Sequence, residues 1–220
     1  MWDKTKNLAN LPDGSYRSVL GYAGESIAIG RALVCGYNLF FKAWRDAKYD
    51  AVLDSKNNLF RIEIKQTSGT ASLTLTSGGR GGKQIKEAVK KGPESREKVL
   101  SSNDCDFVIG VHSLKGNCWI IPVEIIEILG RKSMTLSQLY SFDEKWGVFD
   151  YDTKIIPLER VKKGFQSLSD TQLSELCKKL KISIPAGDSD IRLTNRSKAV
   201  TLNNRGRKIF EIWSYILMNC

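Results

Sequence analysis

Residues 49–69 read YDAVLDSKNNLFRIEIKQTSG, which is a short apolar run, a polar turn and a second apolar run. Val52, Ile62 and Ile64 supply bulk that favours strands, so the stretch predicts two strands joined in a hairpin. A four-residue loop over residues 55–58 would place Asp54 opposite Leu59. This register decides which side chains of the two strands meet.

The same register places Asp50 opposite Glu63. Directly opposed residues of an antiparallel pair share a face of the sheet, with Cβ atoms about 5 Å apart. Lys65 follows Glu63 by two positions and so shares that face. Two acids this close repel each other unless a cation or a proton lies between them. A hard divalent metal with oxygen ligands suits such a pair.

The composition is that of an ordinary globular protein. Its 220 residues are 41% apolar and 26% charged, which indicates one domain, or one domain with an appendage. Apolar runs stay shorter than the roughly 18–20 residues of a membrane span, and the first residues lack the apolar core of a signal peptide. We therefore expect a cytoplasmic protein without a membrane segment.

The five cysteines are scattered without a C-x-x-C pair, and His112 is the one histidine of the sequence. A zinc site is therefore not expected, and the cysteines are interpreted as reduced and structural. His112 falls in an apolar run and is interpreted as a strand residue. No G-x-S-x-G elbow supports a Ser-His-Asp triad.

The net charge is +10, and residues 154–220 hold 13 Lys and Arg against 6 Asp and Glu. A basic excess of this size favours a polyanionic partner, most often nucleic acid. The alternative is a basic protein whose charge serves solubility alone.

The chain order predicts an α/β fold with a central mixed sheet flanked by helices. A helix over residues 16–35 places Glu25 on a stripe of apolar and small side chains that includes Tyr22 and Ala28. Further strands are expected before and after the hairpin, and a helix or a turn is expected over residues 123–129. We divide the chain into a core over residues 1–150 and a mainly helical, basic region over residues 151–220.

Two basic segments are candidates for DNA contact. A glycine-rich loop carries Arg80 and Lys83, but it lacks the Ser or Thr that follows the lysine of a P-loop. The second segment mixes guanidinium and amide groups, which suit guanine and adenine edges. Its candidate residues are Arg192, Asn195, Arg196, Lys198, Asn203, Asn204 and Arg205.

A helix with Glu25, a hairpin with Asp50, and then Glu63-Ile64-Lys65 resembles, in this order, the PD-(D/E)XK nuclease superfamily. The resemblance covers residues 16–125 and implies a restriction-endonuclease-like core. It departs from the motif in having Tyr49 in place of proline, which leaves Asp46 and Asp54 as alternatives to Asp50.

The resemblance implies a role for each residue of the motif. Asp50, Glu63 and the carbonyl group of Ile64 would bind Mg²⁺, and Lys65 would stabilise charge beside the scissile phosphate. Glu25 would help to hold a second metal ion or order a water. The catalytic set is thus Asp50, Glu63, Lys65 and Glu25.

The implied function is a Mg²⁺-dependent type II restriction endonuclease that cuts double-stranded DNA as a homodimer and leaves 5′-phosphate ends. A homing endonuclease or a Holliday-junction resolvase would use the same site. The alternative from another class is a DNA-binding protein without catalysis, in which the hairpin acids are surface charges.

Overall fold

A computed structural model of the chain describes residues 13–42, 47–56, 58–69, 72–77, 97–184, 186–193 and 199–220. The helices in these ranges are α1 (Asp13–Val34), α2 (Val123–Leu129), α3 (Leu136–Leu139), α4 (Leu158–Lys163), α5 (Asp170–Lys179) and α6 (Asn204–Met218). The strands are β1 (Asn38–Phe41), β2 (Ala51–Ser55), β3 (Asn58–Thr67), β4 (Ser72–Thr74), β5 (Thr76–Ser77), β6 (Lys98–Val99), β7 (Phe107–His112), β8 (Cys118–Pro122), β9 (Ser133–Thr135), β10 (Ser189–Ile191) and β11 (Val200–Leu202).

Five strands form the central sheet in the order β1-β2-β3-β7-β8. The neighbours β1–β2, β2–β3 and β7–β8 are antiparallel, whereas β3 and β7 are parallel. This arrangement confirms the predicted α/β fold with a central mixed sheet, and helices follow in the C-terminal part. It puts β3, the strand of the predicted motif, in the middle of the sheet.

The hairpin of β2 and β3 has the predicted register but a shorter connection. Asp54 pairs with Leu59 as expected, and Ser55 pairs with Asn58. The connection is therefore two residues long instead of four, with Lys56 in the left-handed region at φ 53°. Both lengths are centred on the same point, so the register does not change.

Helix α1 covers one face of the sheet. Ala28 and Ala32 are fully buried there, and Gly24 approaches β3 so closely that a Cβ atom would lie 2.7 Å from Cβ of Gln66. Tyr22, expected on the same stripe, is instead 70% exposed. The close packing uses the small residues of the helix, and the large ring lies outside it.

The other face carries the odd-numbered residues of β3, because side chains alternate along a strand. Lys65 pairs in parallel with Gly110 of β7. Leu73 of β4 lies over that position, since a Cβ atom on Gly110 would be 2.5 Å from Leu73 Cδ2. The small β4–β9 sheet therefore covers part of the face on which Lys65 lies.

The C-terminal helices pack onto the same hydrophobic core. The rings of Phe107 and Trp213 meet edge to face at 5.9 Å, and Phe165 meets Trp213 at 5.3 Å. One cluster of buried residues runs from Ala28 to Leu217. The division of the chain at residue 150 stays a prediction.

Ser169 caps the start of helix α5, and the Gln172 side chain completes a capping box. None of the helices in the described ranges is long and apolar enough to cross a bilayer.

Candidate active site

The regular pairing of β2 with β3 ends at Ala51 and Ile62. Asp50 and Glu63 would be the next pair, and the direct pair predicted for them does not form. Ala51 pairs with Ile62, and the N–H group of Asp50 also donates to the Ile62 carbonyl oxygen at 2.9 Å. Asp50 and Ala51 therefore both lie opposite the single residue Ile62, which is the arrangement of a β-bulge. Bulges redirect side chains, and this one accompanies a carboxylate turned toward β3.

The Asp50 carboxylate takes the place of a backbone partner for β3. Its Oδ2 atom accepts a hydrogen bond from the N–H group of Ile64 at 3.0 Å. In an extended strand the N–H and C=O groups of one residue point toward the same neighbour. The Ile64 carbonyl group therefore points toward the edge of β3 at which Asp50 lies.

Glu63 and Lys65 lie two residues apart on β3 and form an ion pair. The Lys65 Nζ atom is 2.5 Å from Oε1 of Glu63. Glu63 is only 8% exposed although it carries an ionisable group. A buried carboxylate needs strong compensation, and the ion pair with Lys65 supplies part of it here.

Both Lys65 and Asp50 act on the pKa of the Glu63 carboxyl group. Burial raises the pKa of Glu63, the charge of Lys65 opposes this rise, and the charge of Asp50 adds to it. The charge of Asp50 thus disfavours the ionised form of Glu63, as expected when two carboxylates share a site. The predicted convergence of Asp50, Glu63 and Lys65 is present in the structure, although the bulge replaces the direct pair.

Lys42 is a fourth member of the cluster that the sequence did not reveal. It follows β1, and its Nζ atom lies 3.0 Å from Asp50 Oδ1. Its charge also lowers the pKa of Glu63. The sequence predicts a strand through this lysine, but the connection to Asp50 could not be aligned without knowing where β1 ends.

The donor set suits a magnesium ion better than a transition metal. It consists of the carboxylates of Asp50 and Glu63, with the Ile64 carbonyl group at the same edge. No three His, Cys, Asp or Glu side chains of the described ranges form a metal cluster. Mg²⁺ does not need one, because it keeps several waters and binds through one or two carboxylates.

The structure gives different positions to the alternatives for Asp50. Asp54 lies on β2 four residues away, about 13 Å along the strand at about 3.3 Å per residue, and pairs with Leu59. Asp46 lies outside the described residues. Within the described part, Asp50 is therefore the hairpin aspartate that accompanies Glu63.

Glu25 lies half-buried on α1, beside Gly24 at the close approach to Gln66. Gln66 and Lys65 point to opposite faces of β3, so this part of α1 packs on the face away from Lys65. A catalytic role for Glu25 stays a prediction.

Comparisons with known proteins add little to this geometry. A scan against protein-family models finds no match, and a search of curated proteins finds none either. Among solved structures, the chain is similar to a bacterial homing endonuclease, I-Ssp6803I, with a TM-score of 0.47 and 17% sequence identity. The match covers 60% of this chain and 91% of that chain. A likeness this distant carries neither a family nor an activity to this chain.

Two of the predicted DNA-binding residues have structural partners. Asn203 caps α6 by accepting a hydrogen bond from the N–H group of Gly206 at 2.8 Å. Arg205 pairs with Asp170 at 2.7 Å and donates to the carbonyl oxygen of Leu168 at 2.7 Å, so it links α6 to the start of α5. Neither contact was expected from the sequence, and a role of these residues in DNA binding stays a prediction.

The other candidates divide into exposed residues and residues that lie outside the described ranges. Arg192 and Asn204 are exposed. Those outside the described ranges are Arg80, Lys83, Asn195, Arg196 and Lys198. His112 lies in β7 as predicted and is buried, and burial lowers its pKa.

Proposed function

We propose that this protein is a Mg²⁺-dependent endonuclease of double-stranded DNA. One observation carries the proposal: a buried Glu63 lies beside both Asp50 and Lys65 on a sheet face. Burial is the main cause of the raised pKa of Glu63 and the charge of Asp50 adds to it, and a divalent cation between the two acids would offset their repulsion. A surface ion pair between Glu63 and Lys65 alone would not require burial or a second acid.

The chain's own groups suit phosphodiester hydrolysis. A bound Mg²⁺ would supply Lewis-acid polarisation of the phosphate and lower the pKa of a nearby water. Asp50 and Glu63 would hold the ion, with the Ile64 carbonyl group beside them. The Lys65 ammonium group would stabilise the negative charge that develops on the scissile phosphate.

The charge distribution supports DNA as the substrate. The net charge is +10, and the basic excess is greatest in residues 154–220. Lys and Arg in such numbers neutralise backbone phosphates. Arg192 and Asn204 are exposed and remain available for contact. The glycine-rich loop with Arg80 and Lys83 is part of the same proposal.

The proposal extends to a type II restriction enzyme that acts as a homodimer. One site cuts one strand, so a twofold dimer would place two sites on the two strands of a palindrome. The products would carry 5′-phosphate ends.

Supercoiled plasmid DNA provides the test. Wild-type protein and the variants Asp50→Ala, Lys65→Ala and Asp54→Ala are each incubated with plasmid, with Mg²⁺ or with a chelator. Wild type and the matched control Asp54→Ala are expected to give discrete bands in Mg²⁺ alone. The Asp50→Ala and Lys65→Ala variants are expected to leave the plasmid intact.

Other outcomes reject parts of the proposal. Cutting of branched DNA alone would replace restriction by junction resolution. A protein that retards the plasmid without cutting it, with all variants alike, would remove the nuclease function and leave DNA binding.

A further inference from the structure

Lys42 forms hydrogen bonds with Asp50 through its backbone as well as through its side chain. The N–H group of Lys42 donates to the Asp50 carbonyl oxygen at 3.1 Å and extends the β1–β2 pairing. The Nζ atom donates to Asp50 Oδ1 at 3.0 Å and to the carbonyl oxygen of Ala47 at 3.3 Å. The Lys42 side chain is only 21% exposed, unlike that of Lys56, which is 75% exposed.

The two oxygens of Asp50 therefore have different partners. Oδ2 accepts from the backbone of Ile64 and fixes the carboxylate against β3. Oδ1 faces the Lys42 ammonium group. A cation shared by Asp50 and Glu63 would have to compete with that charge for the same carboxylate.

We propose that Lys42 is an internal counter-cation that sets the affinity of the acidic pair for a divalent metal ion. The inference rests on the proposed metal site of Asp50 and Glu63. The positive charges of two lysines, Lys42 and Lys65, balance the negative charges of Asp50 and Glu63. A metal ion would therefore enter a cluster without net charge. Loss of the Lys42 charge leaves the cluster at −1, and the attraction for a divalent ion rises.

Calorimetric titration with Mn²⁺ tests the inference on the full chain without DNA. Lys42→Gln retains hydrogen-bond donors for Asp50 and Ala47 but removes the charge, whereas Lys42→Arg retains the charge. We expect Lys42→Gln to bind Mn²⁺ about tenfold more tightly than wild type, because a partly buried unit charge has been removed close to the ion. We expect Lys42→Arg to bind like wild type, within about twofold, because the charge remains.

Two further variants separate the possible failures. Lys56→Gln removes an exposed lysine from the same hairpin and is expected to leave the affinity within about twofold, because solvent and salt screen that charge. Asp50→Asn is expected to abolish Mn²⁺ binding.

The results have distinct meanings. If Lys42→Gln binds Mn²⁺ as wild type does or more weakly, while Asp50→Asn does not bind it, the role of Lys42 is overturned and the metal site is retained. Tighter binding by both Lys42 variants would overturn it too, because charge would not be the cause. Wild-type binding by Asp50→Asn would reject the metal site itself. Circular dichroism of each variant confirms that the titrated protein is folded.

Discussion

Two buried glutamates of this protein have opposite surroundings. Glu124 of α2 is 5% exposed and Glu63 of β3 is 8% exposed. Glu124 accepts hydrogen bonds from the N–H groups of Phe165 and Gln166 and from Nε1 of Trp213, each at 2.7 Å. Glu63 instead forms an ion pair with Lys65 and lies in the same cluster as Lys42 and a second acid, Asp50.

The difference separates a structural carboxylate from a candidate functional one. Burial raises the pKa of Glu124, while the hydrogen bonds from Trp213, Gln166 and Phe165 oppose the rise. All three donors come from the C-terminal third, so Glu124 fastens that third to the core. At Glu63 a second negative charge adds to the cost of burial, and a protein keeps such a cost where function requires it.

Glu63→Gln is expected to have the largest effect, and it acts on cleavage. The neutral amide cannot replace the carboxylate as a cation ligand, so the cleavage rate should fall by about a thousandfold. The free energy of unfolding should fall by less than about 1 kcal/mol, because the change also removes a buried charge. Plasmid cleavage over a range of Mg²⁺ concentrations and urea unfolding measure the two quantities. A rate within tenfold of wild type would remove Glu63 from the site.

Glu124→Gln is expected to act on stability instead. A glutamine offers one acceptor oxygen and an NH₂ group, so at least one of the buried N–H donors loses its partner. The free energy of unfolding should fall by about 2 kcal/mol. Urea unfolding measures the loss. A variant as stable as wild type would show that the carboxylate does not hold the C-terminal third in place.

The two glutamates should also make the stability of the protein depend on pH. The pKa of each is raised above the ordinary value of 4.5. Between 4.5 and the raised value the folded protein binds more protons than the unfolded chain, so stability falls as the pH rises through this window.

Each group can contribute a slope of at most about 1.4 kcal/mol per pH unit. Urea unfolding of wild type, Glu63→Gln and Glu124→Gln at a series of pH values measures it. Each substitution should flatten the fall. A stability that rises with pH in this window, or equal slopes in all three proteins, would contradict the environments assigned to the two carboxylates.

Substitution of Glu127 is expected to have the smallest effect on stability, and it serves as a control for a more exposed glutamate on the same helix. It lies one turn after Glu124 on α2 and is only partly buried. Its Oε1 atom accepts hydrogen bonds from the N–H and Oγ–H groups of Ser102 at 3.0 and 3.1 Å, and its Oε2 atom accepts one from Nε2 of Gln166 at 2.9 Å. Glu127→Gln can keep the two bonds from Ser102, and water can replace Glu127 as the partner of the exposed Gln166 amide, so the free energy of unfolding should change by less than about 0.5 kcal/mol. Urea unfolding at pH 7 checks it. A loss as large as that of Glu124→Gln would mean that burial does not distinguish the two positions.

The sequence predicted the part of the site that local patterns determine. Alternation along β3 placed Glu63 and Lys65 on one face, and the register of the hairpin followed from its polar turn. Asp50 was predicted on the same cluster, but the bulge at Ile62 has no sequence signal, so its contact with the Ile64 N–H group was not foreseen.

Contacts between distant segments could not be predicted from the sequence. Lys42 contacts Asp50 from the end of β1, and the sequence does not indicate how that end aligns with β2. Arg205 and Asn203 were chosen for DNA because their side chains suit base edges, yet in the structure they hold helices α5 and α6. In the sequence, Glu124 is one of two glutamates in the segment 123–129 and has no distinguishing pattern. The three groups that donate hydrogen bonds to it belong to residues 41 to 89 positions away.

Cleavage per folded molecule by Glu63→Gln and Glu124→Gln, measured side by side on plasmid DNA in Mg²⁺, tests the central claim most directly. The two proteins differ from wild type by the same change at two equally buried glutamates, and the folded fraction is taken from circular dichroism. We predict that Glu124→Gln cuts at close to the wild-type rate and that Glu63→Gln does not cut. Equal rates in the two variants, or cleavage lost in Glu124→Gln alone, would contradict the assignment of the active site to Asp50, Glu63 and Lys65.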